Sequence, residues 1–106
     1  MIHAVVRMMM PAERLSEVTR ILGPMAERIR AERGCLACHF YRDALDRTII
    51  AFEQTWASEA DLERHLHSQD CGHLLLVMEM AAAPPEVRFD TVSGSTGIET
   101  IKQARG

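Results

Sequence analysis

Three histidines, a cysteine and an aspartate crowd the nine residues His65-Leu66-His67-Ser68-Gln69-Asp70-Cys71-Gly72-His73. Such a set could bind a metal, exchange protons, or merely end one helix and begin another. Metal ligation would use His67 and Cys71, which share a face at four apart if a helix runs unbroken through them. Ser68 and the polar Gln69-Asp70 favour a break there, with Ser68 capping a new segment. No fixed spacing elsewhere supplies further ligands. Proton exchange falls to His65, which follows Leu62 by three residues and so lies on the inward stripe of its helix. An imidazole titrates near neutrality and can take a proton from a phenol. His67 and His73 read as solvated, and Cys71 as a small packed group.

Other reactive groups carry weaker signals. Cys35 and Cys38 have C-x-x-C spacing, but the stretch Cys35 to Arg42 reads as a strand, where positions three apart point to opposite faces. A redox pair would start a helix, so packing is the expected role. Trp56 is the one tryptophan; it could stack on a planar aromatic ligand or close the core, and its indole N–H needs a polar partner if buried. Arg7 and Arg88 could grip an anion, but pairing with Glu53 and Asp90 is the simpler expectation. Met8, Met9, Met10 and Met25 read as adaptable packing.

These side chains must be positioned by a single small domain. The 106 residues are 47% hydrophobic and 25% charged, an ordinary globular balance, with a net charge of −3. No basic stripe tracks a phosphate backbone, so nucleic acid is not an expected partner. The apolar run from Leu74 is broken by Glu79, short of the roughly 20 residues that span a bilayer, so no membrane is expected either. Three cysteines and no signal-peptide pattern at the N-terminus imply reduced thiols and a cytoplasmic location.

Ile2 to Met8 reads as a strand. Pro11 suits the first turn of a helix carrying Leu15, Val18, Leu22, Met25 and Ile29 inward; Gly23-Pro24 should kink or break it, and Gly34 should end it. Cys35 to Arg42 and Thr48 to Trp56 form a hairpin. Ser58, with Asp61 three residues on, starts a helix carrying Leu62 and Leu66 inward. A further helix places Leu74, Leu75, Met78 and Ala82 at helical spacing, and Pro84 to Val92 is the last strand. The order β-α-β-β-α-β predicts an α+β, ferredoxin-like fold: a four-stranded antiparallel sheet with helices on one face. Residues 1–92 form the domain, and 93–106 are a polar tail, loose or ordered against a partner chain.

Strand parity divides the sheet into two faces. Ala4, Val6, Leu36, Cys38, Phe40, Ile50, Phe52, Val87 and Phe89 should meet the helices. The other face mixes Val5, Ala37, His39, Tyr41, Ile49 and Ala51 with the charges of Arg7, Glu53, Arg88 and Asp90. Charges are retained at a covered surface when they are paired, so this face predicts a homodimer built sheet to sheet.

The stretches GCLACHFYRD, FEQTWASEADLERHLHS and PPEVRFDTV resemble the antibiotic biosynthesis monooxygenase family over residues 2–92, with Glu53, Trp56, Ser58, Leu62, His65 and Leu66 carrying its motif. The resemblance implies a dimeric α+β barrel with a pocket in each subunit between sheet and helices. Members of that build oxidise quinols and polyketide anthrones with molecular oxygen and no metal or flavin, degrade haem, or isomerise a sugar phosphate. Haem degradation uses an asparagine late in the first strand and a histidine on the last helix, and Val6 and Leu75 stand there instead. The expectation is a monooxygenase without cofactor, acting on a small aromatic phenol held against Trp56, Phe40, Phe52 and Leu62, with His65 as base. The alternatives are a non-enzymatic binding or interaction domain, and an isomerase of a small polar metabolite. A filled interior would favour the first alternative, and arginines in the pocket the second.

Overall fold

Alternation of apolar and polar residues produces strands where expected, and 3.6-residue stripes produce helices. The computed structural model describes residues 1–106. It contains β1 (Ile2–Met9), a 3-10 turn (Ala12–Arg14), α1 (Leu15–Arg30), β2 (Cys35–Arg42), β3 (Ile49–Trp56), α2 (Glu59–Leu66), α3 (Gln69–Met78), β4 (Glu86–Thr91) and α4 (Ile98–Arg105). The sheet order is β2-β3-β1-β4 with every pair antiparallel, the ferredoxin-like α+β arrangement. The central strand β1 sets Val6 opposite Phe52 on one side and opposite Val87 on the other.

Gly23-Pro24 does not break α1, which runs unbroken through Pro24. A residue before proline normally resists helical geometry because its Cβ crowds the ring, and Gly23 has none. The missing hydrogen bond costs less than disrupting a stripe in which Val18, Leu22, Met25 and Ile29 are all completely buried. The helix stops at Arg30, ahead of Gly34. Gly34 instead shapes the turn into β2 at φ +82°, and a Cβ there would lie 2.1 Å from Asp61 Cγ. Glycine is required twice over.

A register irregularity between Cys35 and Ala37 revises the parity of β2. The extra residue turns Leu36 outward, 58% exposed, although simple alternation assigned it to the helical face. Cys35 and Cys38, expected on opposite faces, both pack against the core.

Both cap signatures are realised: Ser58 Oγ accepts from the Asp61 N–H at 3.2 Å, and Ser68 Oγ from the Cys71 N–H at 3.2 Å. The chain breaks between α2 and α3, at His67 and Ser68. Arg28 of α1 reaches Asp70 at 2.8 Å and ties the start of α3 to the first helix.

The helical layer is uneven. α1 lies over β2 and covers that half of the sheet, whereas the inward side chains of β4 are only partly covered. Val87 and Phe89 have the expected parity but remain 43% and 52% exposed. On the opposite face Arg88 pairs with Asp90 at 3.1 Å as expected, while Glu53 takes His3 at 3.2 Å rather than Arg7. Residues 98–105 of the tail form a helix with Ile98 and Ile101 exposed. No helix is long and apolar enough to cross a membrane.

Candidate active site

Alternation along β3 turns Ile50, Phe52, Gln54 and Trp56 toward the helices, and all four are buried. Gln54 is the polar exception in this row. Its Oε1 accepts a hydrogen bond from the Trp56 indole N–H at 2.8 Å, which satisfies the indole donor and the amide oxygen together. The capped α2 helix lays His65 on Trp56, ring centroids 4.7 Å apart and planes inclined by 26°. On its far edge His65 Nδ1 meets the Glu32 carboxylate at 2.9 Å. A carboxylate only accepts, so Nδ1 is the donor. Glu32 sits in the turn between α1 and Gly34. The four residues Glu32, His65, Trp56 and Gln54 thus form one contiguous polar and aromatic unit drawn from a turn, a helix and a strand.

This unit borders a cleft of about 270 Å³ between the uncovered half of the sheet and α3. Val6, Val87 and Phe89 form the sheet side, and Leu74, Leu75 and Met78 the helical side. Of its thirteen lining residues only Gln54 and His65 are polar, and none is an arginine. An apolar cleft with two convergent polar groups is the usual form of a small-molecule site.

Of the residues expected at the site, His65 and Phe52 line the cleft. Trp56 does not: it is fully buried, with the imidazole stacked on its face where a substrate was expected. Phe40 is opposite Phe52 in the β2–β3 register and packs against the core, and Leu62 belongs to the core itself. Gln54 and Glu32 were not anticipated. The signal for Gln54 was present, a polar residue at core parity between Phe52 and Trp56. Glu32 had none, since its approach to His65 depends on a turn 33 residues away in the chain.

The thiols are passive. Burial pushes Cys71, which also lines the cleft, above the ordinary thiol range, and pushes Cys38 up to about 12. Neither supplies a thiolate at neutral pH. His67 turns to the Glu63 carbonyl at 2.9 Å, and no three His, Cys, Asp or Glu side chains are grouped to hold a metal ion.

The geometry has close relatives among solved structures. A candidate antibiotic biosynthesis monooxygenase from Deinococcus radiodurans superposes with a TM-score of 0.84 at 15% identity, covering 92% of this chain and 98% of its own. Rv0793 from Mycobacterium tuberculosis gives 0.79 at 22% identity over 91% and 98%, and a candidate antibiotic biosynthesis monooxygenase from Nitrosomonas europaea gives 0.79 at 14% over 89% and 100%. At such identities the likeness is one of fold. No protein of curated function matches the sequence. The model of the antibiotic biosynthesis monooxygenase family does match, over residues 1–74, which is most of the domain and includes every residue of the polar unit: the chain belongs to that family.

Proposed function

We propose that the protein is a monooxygenase that needs neither metal nor flavin and acts on a quinol, an anthrone or a related phenol. One observation carries this reading: a buried histidine whose Nδ1 is held by a carboxylate stands in the wall of an otherwise greasy cleft. With Nδ1 protonated, the neutral ring keeps its free lone pair on Nε2, the atom that takes the phenolic proton. The resulting phenolate is electron-rich enough to hand an electron to molecular oxygen, and apolar walls keep water from the intermediates. Family membership supports the reaction class. Val6 and Leu75 both line the cleft and neither can serve haem chemistry. The absence of arginine from the lining speaks against a phosphate-bearing substrate, and the open interior against a purely structural domain.

The working unit is a homodimer in this reading. The outer sheet face supports it with half-exposed Tyr41 on β2 and with two polar contacts on the other strands, Arg88 to Asp90 and His3 to Glu53. Sedimentation of the full chain should give twice the 11.9 kDa subunit mass.

The function is tested by oxygen uptake with metal-free protein and a panel of quinols and anthrones. Uptake should fall by roughly 10²-fold or more in His65→Ala. Uptake untouched by that change removes His65 from the mechanism, and no uptake with any phenol leaves a binding domain.

A further inference from the structure

The two polar residues of the cleft are the only buried polar residues of the molecule, Gln54 at 6% and His65 at 1% exposure. Each has one end engaged by the protein and one end free. An indole N–H can only donate, so the Gln54 oxygen must face Trp56, and the amide cannot be turned the other way. Its NH2 group is left with two donors and makes no hydrogen bond within the chain, yet no side-chain nitrogen or oxygen is both sealed from solvent and unpartnered. The amide nitrogen therefore opens into the cleft that Gln54 lines. His65 is the mirror case: Nδ1 is committed to Glu32, Nε2 makes no hydrogen bond within the chain, and in the neutral ring Nε2 offers a lone pair. The cleft thus presents one donor and one acceptor. Trp56 stands behind both, hydrogen-bonded to the first and stacked on the second.

We propose that Gln54 is the anion-holding residue of this site and Trp56 the positioning residue that sets it. Building on the phenol reading above, the step is a proton transfer. The substrate O–H bond breaks, its proton forms a bond to His65 Nε2, and its electron pair stays on oxygen. Glu32 faces the resulting imidazolium, and the phenolate oxygen accepts from the Gln54 NH2. A hydrogen bond to an ionised oxygen is about twice as strong as one between neutral groups, and apolar walls keep it so. The donor favours the ionised ligand over the neutral one, which is what acceleration of the transfer requires. Trp56 contributes without touching the substrate, by denying the amide its alternative orientation.

Two probes separate this from its premise: 4-nitrophenol, whose phenolate absorbs in the visible, and its methyl ether 4-nitroanisole, which fits similar space and cannot ionise. At a mildly acidic pH where 4-nitrophenol is neutral in water, the wild type should bind both and show the phenolate band. In Gln54→Leu the affinity for the phenol should fall roughly tenfold relative to that for the ether, equivalent to about 1.4 kcal/mol, with the band lost. Trp56→Phe keeps an aromatic ring under His65 and removes the N–H; it should keep ether binding and lose most of the band, so the test survives if one variant does not fold. A full band in either folded variant overturns the proposal. Failure of the wild type to bind either probe overturns instead the premise that the cleft takes phenols.

Discussion

One sheet face is used in two opposite ways. Over β2 and the far end of β3 the layer is closed: Val18, Leu22, Met25 and Ile29 of α1 share one core with Cys38 and Ile50, all at most 1% exposed. Over β1 and β4 the same alternation yields Val6, Val87 and Phe89, but the helix above them stands off and the apolar groups stay partly wet. The difference does not lie in the strands, whose composition is similar. It lies in the helices: α1 is a single sixteen-residue rod, whereas the return crossover is cut at His67-Ser68 into two short pieces. A sixteen-residue rod covers its half, and two pieces bend around a gap. Dense packing is concentrated in the closed half and the cleft in the open one.

The contrast predicts unequal responses to substitution. Leu22→Ala removes a fully buried side chain from the closed half and should cost about 2–5 kcal/mol in urea unfolding. A cost under ~1 kcal/mol would mean the closed half is not the stability centre.

Next in size is an alkaline effect from the same half. Burial raises the Cys38 thiol to about 12 in the folded protein, above its value in the unfolded chain. Stability from the neutral thiol is therefore complete below the ordinary thiol range and falls as pH climbs from there toward 12. Urea midpoints should decline across that window, less steeply in Cys38→Ala. A decline of equal slope in the variant would assign it elsewhere.

A smaller effect lies at the boundary between the halves. Ser58→Ala removes the cap of the helix that carries His65 and should cost about 1 kcal/mol, whereas Ser58→Gly should cost a few tenths. The smallest effect on stability should come from the open half. Val87→Trp adds bulk where 43% of the side chain is already exposed, so unfolding should move by less than ~0.5 kcal/mol. Binding of 4-nitroanisole should nonetheless fall sharply, because the ring enters the cleft. Unimpaired binding would show that the ligand space is elsewhere.

Legibility in the sequence follows the same division. Strand order, the capped helices and the α1 stripe could be read because each is a local pattern repeated over many residues. His65 was legible because it sits one turn beyond Leu62, and Phe52 because its parity is plain. The β2 irregularity was not, since one extra residue in a ladder leaves no periodic trace and reverses the side of Leu36. Trp56 shows a subtler limit. Its position at the end of β3 was readable, but which ring would lie on its face depended on how α2 crosses the sheet. The same crossing decides that Glu32 meets His65, a long-range contact no local pattern encodes.

The turn at Gly34 is where these distant parts touch. Glu32 lies two residues before it, and Asp61 of the His65-bearing helix fills the space its absent side chain leaves open. Even a single methyl group there would act as a wedge, prising the acid from the imidazole it steadies while leaving both residues in place. The meeting of Glu32 with His65 therefore hangs on an atom the chain does without.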